Sequence, residues 1–181
     1  MKKLQQAMLL GLTLTALNHV THAYAMGGDT IRGHIVSRNS GMVLDEDVGS
    51  NKVQQWTNFG SLNQIWTIFE FSDGTVDIIN NQTGNCLEIY NDVAGLAPLG
   101  IEARTAQCNG LPNQRFTLEA VLVGNEGGIT GSDGYRLRSV LSTQCLDVAD
   151  HSKNDGARVQ QWECHDALNQ RWDLLNVPVA K

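Results

Sequence analysis

Three segments of this chain end alike: Asn63-Gln64-Ile65-Trp66, Asn113-Gln114-Arg115-Phe116 and Asn169-Gln170-Arg171-Trp172. Two further landmarks precede each of them in a fixed order. The first is Val43-Leu44-Asp45, Cys86-Leu87-Glu88 and Cys145-Leu146-Asp147; the second is Gln54-Gln55-Trp56, Arg104-Thr105-Ala106 and Gln160-Gln161-Trp162. Chance does not keep such an order three times, and a period of this size marks a repeat architecture. The spacing places the repeats at about residues 34–70, 76–120 and 135–175, within a domain covering 26–181.

Each repeat reads as β-structure. Short alternating runs recur, among them Gly33-His34-Ile35-Val36-Ser37, Thr75-Val76-Asp77-Ile78-Ile79-Asn80 and Tyr135-Arg136-Leu137-Arg138-Ser139. Turn formers such as Ser72-Asp73-Gly74 and Ser132-Asp133-Gly134 separate them. Apolar residues at helical spacing are missing from this part of the chain. Several strands per repeat leave costly open edges unless the sheet closes on itself. Three such units about one pseudo-threefold axis make an all-β fold, the β-trefoil. Trp66, Phe116 and Trp172 then meet in its core, and we assign them there rather than to a ligand.

The opening 25 residues are a separate matter. Lys2 and Lys3 precede a short apolar run from Met8 to Leu17, and Thr21-His22-Ala23 and Ala23-Tyr24-Ala25 offer small residues for cleavage. The run falls well short of the ~20 residues that span a bilayer, so it reads as an export signal removed after Ala25 or Ala23, not as a membrane span. A secreted or periplasmic protein with four cysteines, Cys86, Cys108, Cys145 and Cys164, is expected to form disulfides, with three pairings open. Lys and Arg number 13 against 19 Asp and Glu, a net charge of −6, so no basic surplus exists for nucleic acid or an anionic membrane.

The landmarks resemble those of the ricin-type lectin family, a resemblance that covers roughly residues 34–175. It implies a β-trefoil with one shallow sugar site per repeat. A sugar calls for an ionised acceptor, amide groups and a flat apolar platform. The third repeat holds this set in Asp147, Gln160, Trp162, Asn169 and Gln170. Gln160 and Trp162 are two apart on a strand and share a side, while Gln161 points away. Asp147 is expected to accept two hydroxyl protons, one on each oxygen. Trp162 would stack on the pyranose ring, Gln160 would reach its edge, Asn169 would donate its amide, and Gln170 would brace Asp147. The first repeat carries Asp45, Gln54, Trp56, Asn63 and Gln64, but Val43 and Asn58 stand where the third repeat has cysteines. In the second, Glu88, Arg104 and Ala106 replace the acid, the amide and the platform, so Asn113 and Gln114 read as scaffold. The repeat register pairs Cys86 with Cys108 and Cys145 with Cys164.

A competing role for Asp45 and Asp147 is to stabilise turns through their own backbone. Cys164-His165-Asp166 holds the residue types of a thiol triad, but neighbouring strand residues alternate faces and cannot converge. His165 is placed instead at the rim of the third pocket. Asp45-Glu46-Asp47 reads as a solvated acidic loop rather than a calcium site. No catalytic motif, metal or cofactor is expected. The expected partner is a glycan bearing galactose-type or related sugars. The resemblance also suggests a companion catalytic chain, since the A and C subunits of cytolethal distending toxins are similar ricin-like chains. The competing class is a trefoil protein-interaction module, an inhibitor or structural subunit, with degenerate sugar pockets.

Overall fold

The computed structural model describes residues 30–89, 98–125 and 128–176, so the expected export signal and its cleavage point lie outside the described residues. Among the described residues, twelve strands follow one another in three sets of four. The first set is β1 (Thr30–Ser37), β2 (Val43–Asp47), β3 (Lys52–Trp56) and β4 (Trp66–Glu70); the second is β5 (Thr75–Asn80), β6 (Cys86–Ile89), β7 (Ala103–Ala106) and β8 (Phe116–Asn125). The third is β9 (Gly128–Ser139), β10 (Cys145–Val148), β11 (Ala157–Trp162) and β12 (Trp172–Asn176). The helical elements among the described residues are single 3-10 turns. No helix there is long and apolar enough to cross a membrane.

Six strands close a ring. β1 pairs with β4, β4 with β5, β5 with β8, β8 with β9, β9 with β12, and β12 returns to β1, every pair antiparallel. Closure removes the exposed edges that the alternating runs would otherwise carry. The hairpins β2–β3, β6–β7 and β10–β11 form a second tier. They join one another through β3–β11, β3–β7 and a bridge between Glu102 and Gln160. This is the β-trefoil that the threefold landmarks imply.

The core follows the same symmetry. Leu44, Leu87 and Leu146 are buried together with Ile35, Ile78 and Leu137, and with Val53, Ala103 and Val159. Trp66, Phe116 and Trp172 are fully buried beside them, as expected for the shared core. Trp66 Nε1 donates to Leu44 O at 2.9 Å and Trp172 Nε1 to Leu146 O at 3.2 Å. Each indole thus pins the strand that carries the repeat's acidic residue. Both disulfides join the cysteines that the repeat register pairs, Cys86 with Cys108 and Cys145 with Cys164.

The acidic run of the first repeat departs from expectation. Asp45-Glu46-Asp47 is not a solvated loop but the end of β2, with Asp45 and Glu46 buried and Asp47 exposed. Glu46 stands where the other repeats have Ile89 and Val148, and its carboxylate accepts the hydroxyls of Thr83 and Thr105. Strand alternation sends Asp45 and Glu46 to opposite sides, and both sides are covered.

Candidate functional site

In the third repeat the β10–β11 register sets Asp147 opposite Gln160 and Cys145 opposite Trp162. Period-two alternation then puts Asp147, Gln160 and Trp162 on one face, while Gln161 turns to the other and donates to Pro98 O at 2.7 Å. A 3-10 turn, Leu168–Gln170, brings up the amides. Asn169 donates to Asp147 Oδ2 at 2.7 Å, Gln170 to the same oxygen at 3.0 Å, and Gln160 to Oδ1 at 3.1 Å. The Gln170 amide also reaches Glu163 O at 2.9 Å, and its Oε1 accepts the His165 backbone N–H at 2.9 Å. One glutamine therefore fixes both the acid and the segment that follows Trp162.

Asp147 is 2% exposed, and Trp162 is 37% exposed. Together they line a cavity of about 210 Å³ with Asn169, Gln160, His151 and His165. Burial pushes the Asp147 carboxyl above its ordinary range; the amides of Gln170 and Gln160, then His165 and His151, pull it back. His165 stands at the rim, its Nε2 3.6 Å from Asp147 Oδ2. Its Nδ1 accepts the Ala167 N–H at 3.2 Å, which assigns the proton of the neutral ring to Nε2, facing the carboxylate.

Two expected roles change with this geometry. Asn169 was expected to donate to a sugar, but its Nδ2 is committed to Asp147 and, at 3.0 Å, to Val148 O. Its Oδ1 is buried without a hydrogen-bond partner, as is Oε1 of Gln160. Asp147 was expected to take a hydroxyl on each oxygen. Oδ2 already holds two amides and Oδ1 one, which leaves room for a single hydroxyl, on Oδ1.

The first repeat repeats the pattern atom for atom around Asp45. Gln54 donates to Oδ1 at 3.0 Å, and Asn63 and Gln64 donate to Oδ2 at 2.9 and 3.0 Å. Gln64 also bonds Thr57 O at 2.9 Å and accepts the Phe59 N–H at 2.8 Å. Trp56 lies two residues beyond Gln54 and lines a wider cavity of about 400 Å³. Phe59, 72% exposed, takes the place of His165. The second repeat keeps the amides, with Asn113 and Gln114 at 3.0 and 2.9 Å from Glu88 Oε2. Arg104 closes the other oxygen with an ion pair at 2.6 Å, and Ala106 offers no flat surface.

The platforms rest on something the sequence reading missed. A Cβ built on Gly100, from the segment before β7, would lie 3.4 Å from Trp162 Cζ3; one on Gly156, before β11, would lie 3.3 Å from Trp56 Cζ3. Both glycines have left-handed backbones, with φ of 81° and 76°. Ser50 holds the equivalent place beside β7, the strand whose platform residue is Ala106. A glycine three residues before Ala103 and Val159, but not before Val53, was the available signal. Among the described residues no cluster of three or more His, Cys, Asp or Glu side chains could hold a metal ion. Cys164 is held in its disulfide, so the Cys164-His165-Asp166 run has no thiol.

A family model described as ricin-type beta-trefoil lectin domain-like matches residues 26–101 and 112–180. Among solved structures, the designed threefold-symmetric protein ThreeFoil superposes with a TM-score of 0.69 at 28% identity, covering 81% of this chain and 99% of that one. An exo-β-1,3-galactanase from Clostridium thermocellum gives 0.68 at 30% identity; the match covers 82% of this chain but only 31% of that enzyme. The ricin B-like lectin of Macrolepiota procera, solved in complex with lactose, gives 0.61 at 18% identity, covering 83% and 96%. At that identity the likeness is one of fold.

Proposed function

Because the chain belongs to the ricin-type β-trefoil lectin-like family, we propose that it is an exported carbohydrate-binding protein that takes galactose-type sugars in its first and third repeats. The observation that carries this is the pairing, found twice, of an amide-held carboxylate with an indole on the same face of one hairpin. The carboxylate suits a sugar hydroxyl, and the indole suits the C–H face of a pyranose ring. The lactose complex of the Macrolepiota procera lectin favours the galactose-type assignment.

The protein binds sugar without cleaving it. Asp147 and Asp45 each hold three amide donors and act as fixed acceptors. Each pocket alone is weak, because hydroxyl desolvation offsets most of the gain; two pockets on one rigid body gain on dense glycans. Two disulfides accord with an oxidising, extracellular setting reached through the N-terminal signal. Co-purification from the native source tests for a companion chain of the kind found in a multi-chain toxin.

A glycan array read with the wild type, Asp147→Ala, Asp45→Ala and the double variant tests the assignment. Galactose-terminated glycans should be bound, more weakly by each single variant and not by the double. Signal that survives in the double variant rejects these sites. No signal from the wild type favours a protein-interaction module.

A further inference from the structure

The two proposed sugar sites differ in how the segment after the platform is held. In the third repeat, Cys164 lies two residues past Trp162 and is cross-linked to Cys145 on β10. In the second, Cys108 is cross-linked to Cys86 on β6 in the same way. The first repeat has Val43 and Asn58 at these places and no covalent tie. Yet its segment has the same duty: Thr57 O and the Phe59 N–H hold Gln64, and Gln64 holds Asp45.

The tie comes from another repeat. Asp155, just before β11, accepts the Thr57 backbone N–H on Oδ1 at 2.6 Å and the Thr57 hydroxyl on Oδ1 and Oδ2 at 2.9 and 3.2 Å. Its neighbour Gly156 supports the Trp56 ring and donates its N–H to Gln55 O at 3.0 Å. Gln55 in turn donates to Ser152 O and Asn154 O, both at 3.0 Å. The equivalent of Asp155 before β7 is Leu99, facing a segment that already carries a disulfide. The carboxylate clasp thus stands in the repeat that lacks the cross-link.

We propose that Asp155 of the third repeat is a positioning residue of the first-repeat sugar site, replacing by charge-assisted hydrogen bonds the disulfide that the other two repeats use. The first site is then a composite of two repeats, and the segment Ala149–Gly156 serves two pockets. Its start, Asp150 and His151, walls the third cavity, and its end clasps the first. The inference rests on the sugar-binding reading of Asp45 and Trp56.

Lactose titrations of two site-isolating parents test it: Trp162→Ala, which reports the first site, and Trp56→Ala, which reports the third. Adding Asp155→Ala should weaken the first site about tenfold, the scale of one lost charge-assisted hydrogen bond. Asp155→Asn should weaken it less, and the third site should not change. Installing Val43→Cys with Asn58→Cys in the Asp155→Ala protein should return the lost affinity once thiol titration shows the bridge formed. Unchanged first-site affinity, equal loss at both sites, or a formed bridge without recovery each overturns the proposal. If neither parent binds lactose, it is the galactose assignment that fails. The clasp is then judged without sugar: Asp155→Ala should speed Thr57 amide exchange and shift Trp56 emission in the Trp162→Ala protein, and no change in either overturns it. Thr57→Val, which removes only the hydroxyl, covers the case in which Asp155→Ala does not fold.

Discussion

Asn169 gives both of its N–H bonds inward, one to Asp147 Oδ2 at 2.7 Å and one to Val148 O at 3.0 Å. The contact makes Asp147 part of the fold as well as part of the pocket. Asp147→Asn keeps one oxygen for the amides of Asn169 and Gln170 and turns the other acceptor into a donor facing the amide of Gln160. Leaving a buried group unsatisfied costs about 1–3 kcal/mol. The variant should therefore lose that much stability in urea unfolding and lose third-site binding with it.

Trp162 and Trp172 are ten residues apart and should behave oppositely. Trp172 is fully buried, so Trp172→Ala should cost about 3–5 kcal/mol by denaturant titration. Trp162 keeps 37% of its surface in water, so Trp162→Ala should change stability far less while removing sugar from the third repeat. Calorimetry of both variants with lactose separates core from platform.

The Asp147 carboxyl is held above its ordinary value of 3.8, chiefly by burial. The folded protein therefore binds this proton more tightly than the unfolded chain. The group's stabilising contribution is complete below 3.8 and is lost as pH rises through the folded value. Sugar binding runs the other way, because the hydroxyl acceptor is the ionised form. In the Trp56→Ala protein, lactose affinity should fall on acidification at a pH above that of an ordinary Asp, as titration calorimetry across pH 3–7 would show on the scale of reference carboxyl values.

Gly100 lies under the Trp162 ring with a left-handed backbone. Gly100→Ala adds a Cβ about the closest distance the ring tolerates and a conformational penalty of about 1–2 kcal/mol. It should lower stability by about that amount, shift the Trp162 emission and weaken the third site alone. Gly156→Ala should do the same to the first.

Much of this was legible in the chain. The order of landmarks yields the strands, the buried Trp66, Phe116 and Trp172, both disulfides and the shared face of Asp147, Gln160 and Trp162, because period two and threefold register are local rules. The direction of the Asn169 amide was not legible, since it depends on where Val148 O lies. In the repeat register Arg104 marks a lost amide, and only its placement beside Glu88 reveals an ion pair. Glu46 looked solvated because charge suggests water, whereas the neighbouring repeat covers it with two threonines. Gly100, Gly156 and Asp155 escaped for one common reason. Aligning repeats identifies equivalent positions and is silent on which repeat touches which.

The ring of hairpins has a consequence for fragments. Trp56 sits on a glycine supplied by a different third of the molecule, and Trp162 does likewise. A peptide cut to the first or the third unit would carry an acid, an indole and three amides yet possess only half a socket. Each socket is complete only once a second unit has docked against the first, whether in one chain or from separate copies.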